Sequence, residues 1–179
     1  VLVNGQFAYY GTSRLDKPGI QAAAERAVKL ATAASKYSLH SFGTDARPVA
    51  KGSYSSPFQT AADAFSPGEL SDLLIKATAE LKVSDKVVTT NAMARTVETE
   101  SHFVASNGSD VEQKYLMVSA DYSAIAHEGS VTQKRTDGGL LAKSYQAGME
   151  VFNEADVLAR CRNIGAEAVE LLTAEECPT

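Results

Sequence analysis

The chain has 179 residues, 44% of them hydrophobic and 22% charged, with a net charge of −5. This is the balance of a soluble globular protein, at a length that suits one ordinary domain or two small ones. Nothing approaches the ~18 uninterrupted apolar residues of a membrane span, and the negative balance disfavours direct nucleic-acid binding, which needs Lys and Arg to displace counterions from phosphates. The densest basic spot is Lys134-Arg135, with Lys143 nearby.

The opening Val1-Leu2-Val3-Asn4-Gly5 has neither the basic stretch nor the long apolar run of a signal peptide. It also lacks a starting Met and begins on a strand, which predicts a piece of a longer chain. Val1–Val3 and Phe7–Tyr10 read as a hairpin through Asn4-Gly5. Asp16 then caps a helix with Pro18 in its first turn, where a missing N–H does no harm. Ile20, Ala23, Ala24, Ala27, Val28, Ala31 and Ala34 form its expected inward stripe.

Residues 36–65 are rich in Ser, Gly and Pro, with a short strand predicted around Val49–Tyr54. Ser66-Pro67-Gly68-Glu69 is a capping box, and the helix after it should bury Leu70, Leu73, Leu74, Ala77 and Leu81. From Lys86 to about Arg135 the chain reads as strand after strand. Val87–Glu98 is the first, running on or bending into a hairpin strand that turns at Asn107-Gly108.

Along that hairpin strand Val97, Phe103 and Ala105 share one face and Glu98, Glu100 and His102 the other, the alternation of a half-buried antiparallel strand. Val111–Ala126 changes its apolar face midway, which predicts a β-bulge. Val131–Arg135 is polar on both faces, as an edge strand blunted by charge would be. Asn153 caps a final helix, about Glu154–Thr173, with the stripe Val157, Leu158, Cys161, Ile164, Gly165, Ala168 and Leu172.

The fold class expected is α+β: an antiparallel β-meander with packed helices, plus the remainder of a smaller N-terminal α/β domain. The expected division is 1–65, the end of that domain and an irregular linker, and 66–179, a middle α+β domain. Two cysteines make no disulfide framework and suit a reducing, cytoplasmic compartment. Cys161 on an apolar stripe reads as core packing, and Cys177 stands in the tail before Pro178.

Spacing alone yields no catalytic residue, no cofactor-binding residue and no metal ligand. The histidines, His40, His102 and His127, lie far apart. His127-Glu128 resembles a fragment of a zinc-helix motif, but Val131 and Thr132 stand where a second His is needed, and the pair lies at a strand end. No nucleophile elbow or phosphate loop occurs. Asn107-Gly108-Ser109 matches a glycosylation sequon, and its turn role explains it. Glu98 and Glu100 share a strand face and read as solvated surface.

The stretch "SHFVASNGSDVEQKYLMVSADYSAIAHEGSVTQKRTDGG" resembles the middle region of the TldD/PmbA family, also labelled modulator of DNA gyrase, through Phe103, Ser106, Gly108, Gln113, Gln133 and Arg135. "NGQFAYYGTSRLDKPGIQAAAERAVKLATAAS" resembles the family's strand-turn-strand and alanine-rich helix. "AEAVELLTAEECPT" is similar to the helix and Cys-Pro stretch that lead into its C-terminal domain, on the TldD side.

The resemblance implies a cytoplasmic zinc-dependent peptidase subunit that works as a dimer with a second TldD/PmbA-family subunit on a peptide substrate. The family's zinc helix, His-Glu-x-x-x-His, lies after the Cys-Pro exit, so zinc is expected in a C-terminal domain absent here, and no catalytic residue is carried over. The alternatives are a PmbA-like non-catalytic partner subunit and an independent peptide-binding scaffold domain. In the leading reading the hairpin is framework, and the 131–135 edge could accept a peptide as an added strand.

Overall fold

A computed structural model describes residues 1–139 and 143–175. The chain folds as two compact units, Val1–Ala50 and Lys51–Thr179.

In the first unit, β1 (Leu2–Val3) and β2 (Gln6–Phe7) pair antiparallel. Asn4 at φ 49° and Gly5 at φ 74° both take the left-handed conformation that a two-residue hairpin turn requires. Helix α1 (Lys17–Ala34) starts where the Asp16 carboxylate accepts the Gly19 N–H at 2.9 Å. Its buried residues are Gly19, Ala23, Ala27 and Ala31. The rest of the expected stripe faces outward, with Ile20 54% and Val28 41% exposed. A single i, i+4 row of small side chains suffices for the short two-stranded hairpin that α1 touches.

The second unit is built on one long strand. β5 (Asp110–Glu128) pairs antiparallel with β4 (Val87–Val104) along its whole length, from Val104↔Asp110 to Val87↔Ala126. Its other edge is shared by three short strands. β3 (Lys51–Ser55) pairs parallel at one end, β7 (Ser144–Tyr145) pairs antiparallel at Val118 and Ser119, and β6 (Val131–Thr136) pairs antiparallel from Ser123 to Glu128. The fold is thus α+β as expected, an antiparallel meander with packed helices to which β3 adds one parallel pairing. Because β3 pairs with β5, the second compact unit begins at Lys51, inside the stretch read as linker.

Helix α2 (Pro67–Leu81) opens with the capping box. Ser66 Oγ accepts the Glu69 N–H at 3.2 Å, and the Glu69 carboxylate accepts the Ser66 N–H at 2.8 Å. Helix α3 (Glu154–Glu170) is capped by Asn153, whose Oδ1 accepts the Asp156 N–H at 3.2 Å. Both helices pack on one face of the sheet. Val118, Ala120, Tyr122, Ala124 and Ala126 of β5 meet Leu73, Ala77, Leu81, Phe152, Val157, Cys161 and Ile164 there. Small side chains bring the helices close: a Cβ on Gly165 would lie 2.3 Å from the Leu81 carbonyl oxygen.

Three local expectations change. The register of β5 against β4 is unbroken from Asp110 to Ile125, and the irregularity lies on β4 between Val87 and Thr89. The apparent change of face in β5 needs no inserted residue: Val118, Ala120, Tyr122 and Ala124 join the helix-packed core, and from Val118 to Ala124 the residues between them are buried as well. The β4–β5 turn is not a two-residue turn. The Gly108 N–H reaches the Ala105 carbonyl, and the Ala105 N–H the Ser109 carbonyl, each at 3.0 Å. Only Gly108, at φ 95°, is left-handed in this turn, while Asn107 Oδ1 accepts the Ser109 N–H at 3.0 Å. Finally, residues 98–104 are exposed on both faces, Phe103 being 47% exposed, because no helix reaches that end of the sheet.

Candidate functional site

The residues weighed as chemistry in the sequence are held apart by the fold. His127 and Glu128 are neighbours on β5 and so point to opposite faces. His127 Nδ1 is 2.9 Å from Thr132 Oγ1, and Glu128 accepts from Lys86 Nζ at 2.6 Å. His102 pairs with Asp110 across the strand ends at 2.7 Å. His40 sits edge-on to Phe42, ring centroids 4.7 Å apart. Among the described residues no three His, Cys, Asp or Glu side chains gather as a ligand set.

Glu98 and Glu100 do not act as a carboxylate pair. Glu100 bonds Lys114, which also takes Glu112, at 3.1 and 3.3 Å. Those two bonds raise the lysine above its ordinary value. Cys161 is fully buried, and burial pushes its thiol up to about 12, which leaves it inert at neutral pH. Cys177 and Pro178 lie outside the described residues.

Two of the clefts in the second unit gather five or more charged side chains each. One, about 550 Å³, runs between α2 and the turn Met149–Phe152 and is lined in part by Glu69, Asp72, Lys76, Glu150 and Glu154. Most of these are committed to structure. Glu69 closes the capping box, Lys76 bonds Glu154 at 2.7 Å, and Glu150 accepts the N–H groups of Thr60, Gly148 and Gln59 at 2.8, 2.9 and 3.2 Å. The bond from Gly148, with those from the other backbone groups, holds Glu150 down at about 2.

The other cleft, about 490 Å³, lies at the end of β6 against α3, and Arg135, Asp137, Lys143, Arg160, Asn163 and Glu167 line it. Asp137 Oδ1 accepts from Lys143 Nζ at 2.7 Å and Oδ2 from Arg160 Nη1 at 3.0 Å. Arg135 Nε donates to Glu167. The sequence reading singled out Arg135 and Lys143 and missed Asp137 and Arg160. Arg160 shows in sequence only as a polar position beside the apolar stripe of α3, with nothing local to tie it to β6.

Residues 61–174 match the family model described as the PmbA/TldA metallopeptidase central domain. No curated protein matches the chain. Among solved structures, a Thermotoga maritima protein described as a candidate modulator of a DNA gyrase is similar over 99% of this chain, at a TM-score of 0.67 and 15% identity. The chain spans 37% of that protein's length, and at this identity the likeness shows the fold. The family match covers well over half of the residues, including the whole helix-covered sheet apart from β3, and on that ground the chain belongs to the TldD/PmbA family.

Proposed function

We propose that these residues are the framework and subunit-contact region of a TldD-like zinc metallopeptidase subunit. The whole subunit would be a hydrolase that processes peptides in the cytoplasm together with a second TldD/PmbA-family subunit. The observation that carries this reading is the family match over 61–174, whose description names both a metallopeptidase and a central domain. The residues present do not fit zinc: His127 and Glu128 face apart, and His102 is engaged across the hairpin with Asp110. No step of hydrolysis is therefore assigned to them, and in this reading the zinc ligands belong to sequence outside these 179 residues.

A PmbA-like non-catalytic partner is the second reading, favoured by the same match, which names PmbA alongside the peptidase. Charge disfavours a direct role at DNA. The net charge is −5, and no helix among the described residues is long and apolar enough to cross a membrane.

The test is to read the gene past the codon for Thr179, express its full product and assay peptide hydrolysis and bound zinc. A His-Glu-x-x-x-His downstream, with zinc bound and hydrolysis lost to a chelator, supports the peptidase subunit. A long downstream domain without the motif, active only when mixed with a motif-bearing relative, moves the assignment to the partner subunit. A stop codon close to Thr179 overturns both and leaves an independent domain.

A further inference from the structure

The basic spot at Lys134-Arg135 acquires a second half in the fold. Arg135 and Lys143 are joined by Arg160 and Asn163 from α3 around the 490 Å³ cleft. Among the described residues, the carboxylates that Arg135, Lys143 and Arg160 meet there are Asp137 and Glu167. Among the described residues, these ion pairs consume little of the donor capacity. Asp137 takes one bond from the Lys143 ammonium and one from the Arg160 guanidinium, and Glu167 takes one from Arg135. An ammonium carries three donors and a guanidinium five.

The Asp137 side chain is only 7% exposed, whereas those of Lys143, Arg160 and Arg135 are 40%, 33% and 50% exposed. A buried carboxylate thus anchors two cations whose heads line open space. Such a rim is preorganised, so an incoming anion need not order it first.

We propose that this cleft is an oxyanion-binding site, taking a carboxylate or a phosphate between Arg135, Arg160 and Lys143, with the Asn163 amide as a further donor. Two guanidinium groups suit planar, two-oxygen recognition. Glu167 is the exchangeable group: its pair with Arg135 is half exposed, and pairs of that kind contribute little net stability. Asp137 is a positioning residue that holds Lys143 and Arg160 and does not meet the anion. The site stands apart from the peptidase reading and does not depend on it.

The experiment is a low-salt NMR titration of the 179-residue chain, following the arginine Nε–H and Asn163 amide signals. The probes are inorganic phosphate, an acetylated dipeptide with a free C-terminal carboxylate, and the same dipeptide as its amide. Saturable millimolar shifts with phosphate, with the acid or with both are expected, and none with the amide. Phosphate alone would make the ligand a phosphate, and the acid alone a peptide carboxylate.

Arg135→Gln and Arg160→Gln should each weaken binding at least about tenfold, the loss of one charge-assisted bond. Lys134→Gln, on the opposite face of β6, should leave it unchanged. Should Arg160→Gln fail to fold, Arg135→Gln decides, because its pair with Glu167 lies at the surface. Absent shifts, equal binding of the amide, or shifts that survive Arg135→Gln would overturn the proposal.

Discussion

At Glu150 one carboxylate closes a loop by accepting three backbone N–H groups, and its pKa falls from the ordinary 4.5 to about 2. A depressed folded value means stabilisation that is complete above the unfolded pKa and is lost as pH falls through the folded one. Replacing Glu150 by Gln should therefore lower the thermal midpoint at pH 7, and the gap to wild type should close between pH 4.5 and 2. A gap constant across that range would show that packing, not charge, holds the loop.

Tyr122 shows the converse case. Its ring is fully buried, its hydroxyl has no hydrogen-bond partner among the described residues, and burial pushes the phenol up to about 12. An unsatisfied buried hydroxyl costs about 1–3 kcal/mol. Tyr122→Phe should then leave chemical-denaturation stability unchanged or raise it by about 1 kcal/mol, and a loss of that size would mean the hydroxyl has a partner such as a buried water. Both residues stand out in sequence only as an acid in a loop and an aromatic in a strand. Their surroundings come from distant segments.

Among the elements, the helices were legible because their signals are local. Asp16, Ser66 and Asn153 each cap with a side chain that reaches only three residues ahead. The α2–α3 contact is not local. A Cβ on Gly165 would meet the Leu81 oxygen at 2.3 Å and Val83 Cγ1 at 2.9 Å. Gly165→Ala would gain about 1 kcal/mol of helix propensity, but overpacking costs about 1–3 kcal/mol and here falls partly on backbone. Net destabilisation of up to about 2 kcal/mol is expected in urea unfolding, with stabilisation refuting the close approach.

The strands were harder to read. The face change in β5 looked like an inserted residue, yet its register against β4 is unbroken there. The Asn107-Gly108 pair looked like a two-residue turn, yet the Asn107 side chain holds a longer loop through Ser109.

On the scale of the whole molecule, the two compact units differ in what they bury. Lys51–Thr179 contains a contiguous core in which Leu81, Val87, Tyr122, Phe152 and Val157 are sealed from solvent. In Val1–Ala50 the buried residues are Gly19, Ala23, Ala27 and Ala31, while Leu15, Ile20 and Leu30 remain exposed. A unit that small hides too little apolar surface to offset its chain entropy. Expressed separately, residues 51–179 should unfold cooperatively, and residues 1–50 should show no cooperative transition by circular dichroism. A sharp transition in the short piece would show stability beyond that of its four buried residues.

What the sequence determined by itself was whatever a few consecutive residues can encode: the caps, the apolar stripes of α2 and α3, the Asn4-Gly5 turn, the α+β class and the family's motif order. Hydrogen bonds within one helical turn and periodicity along one element depend on no distant partner. Only the tertiary structure decided that β3 joins β5 in parallel, that Glu150 ties residues 59 and 60 to Gly148, and that Asp137 gathers Lys143 and Arg160 beside Arg135. Most of those contacts join segments far apart along the chain, and their free energy becomes available only once the sheet and α3 have already fixed where each partner stands.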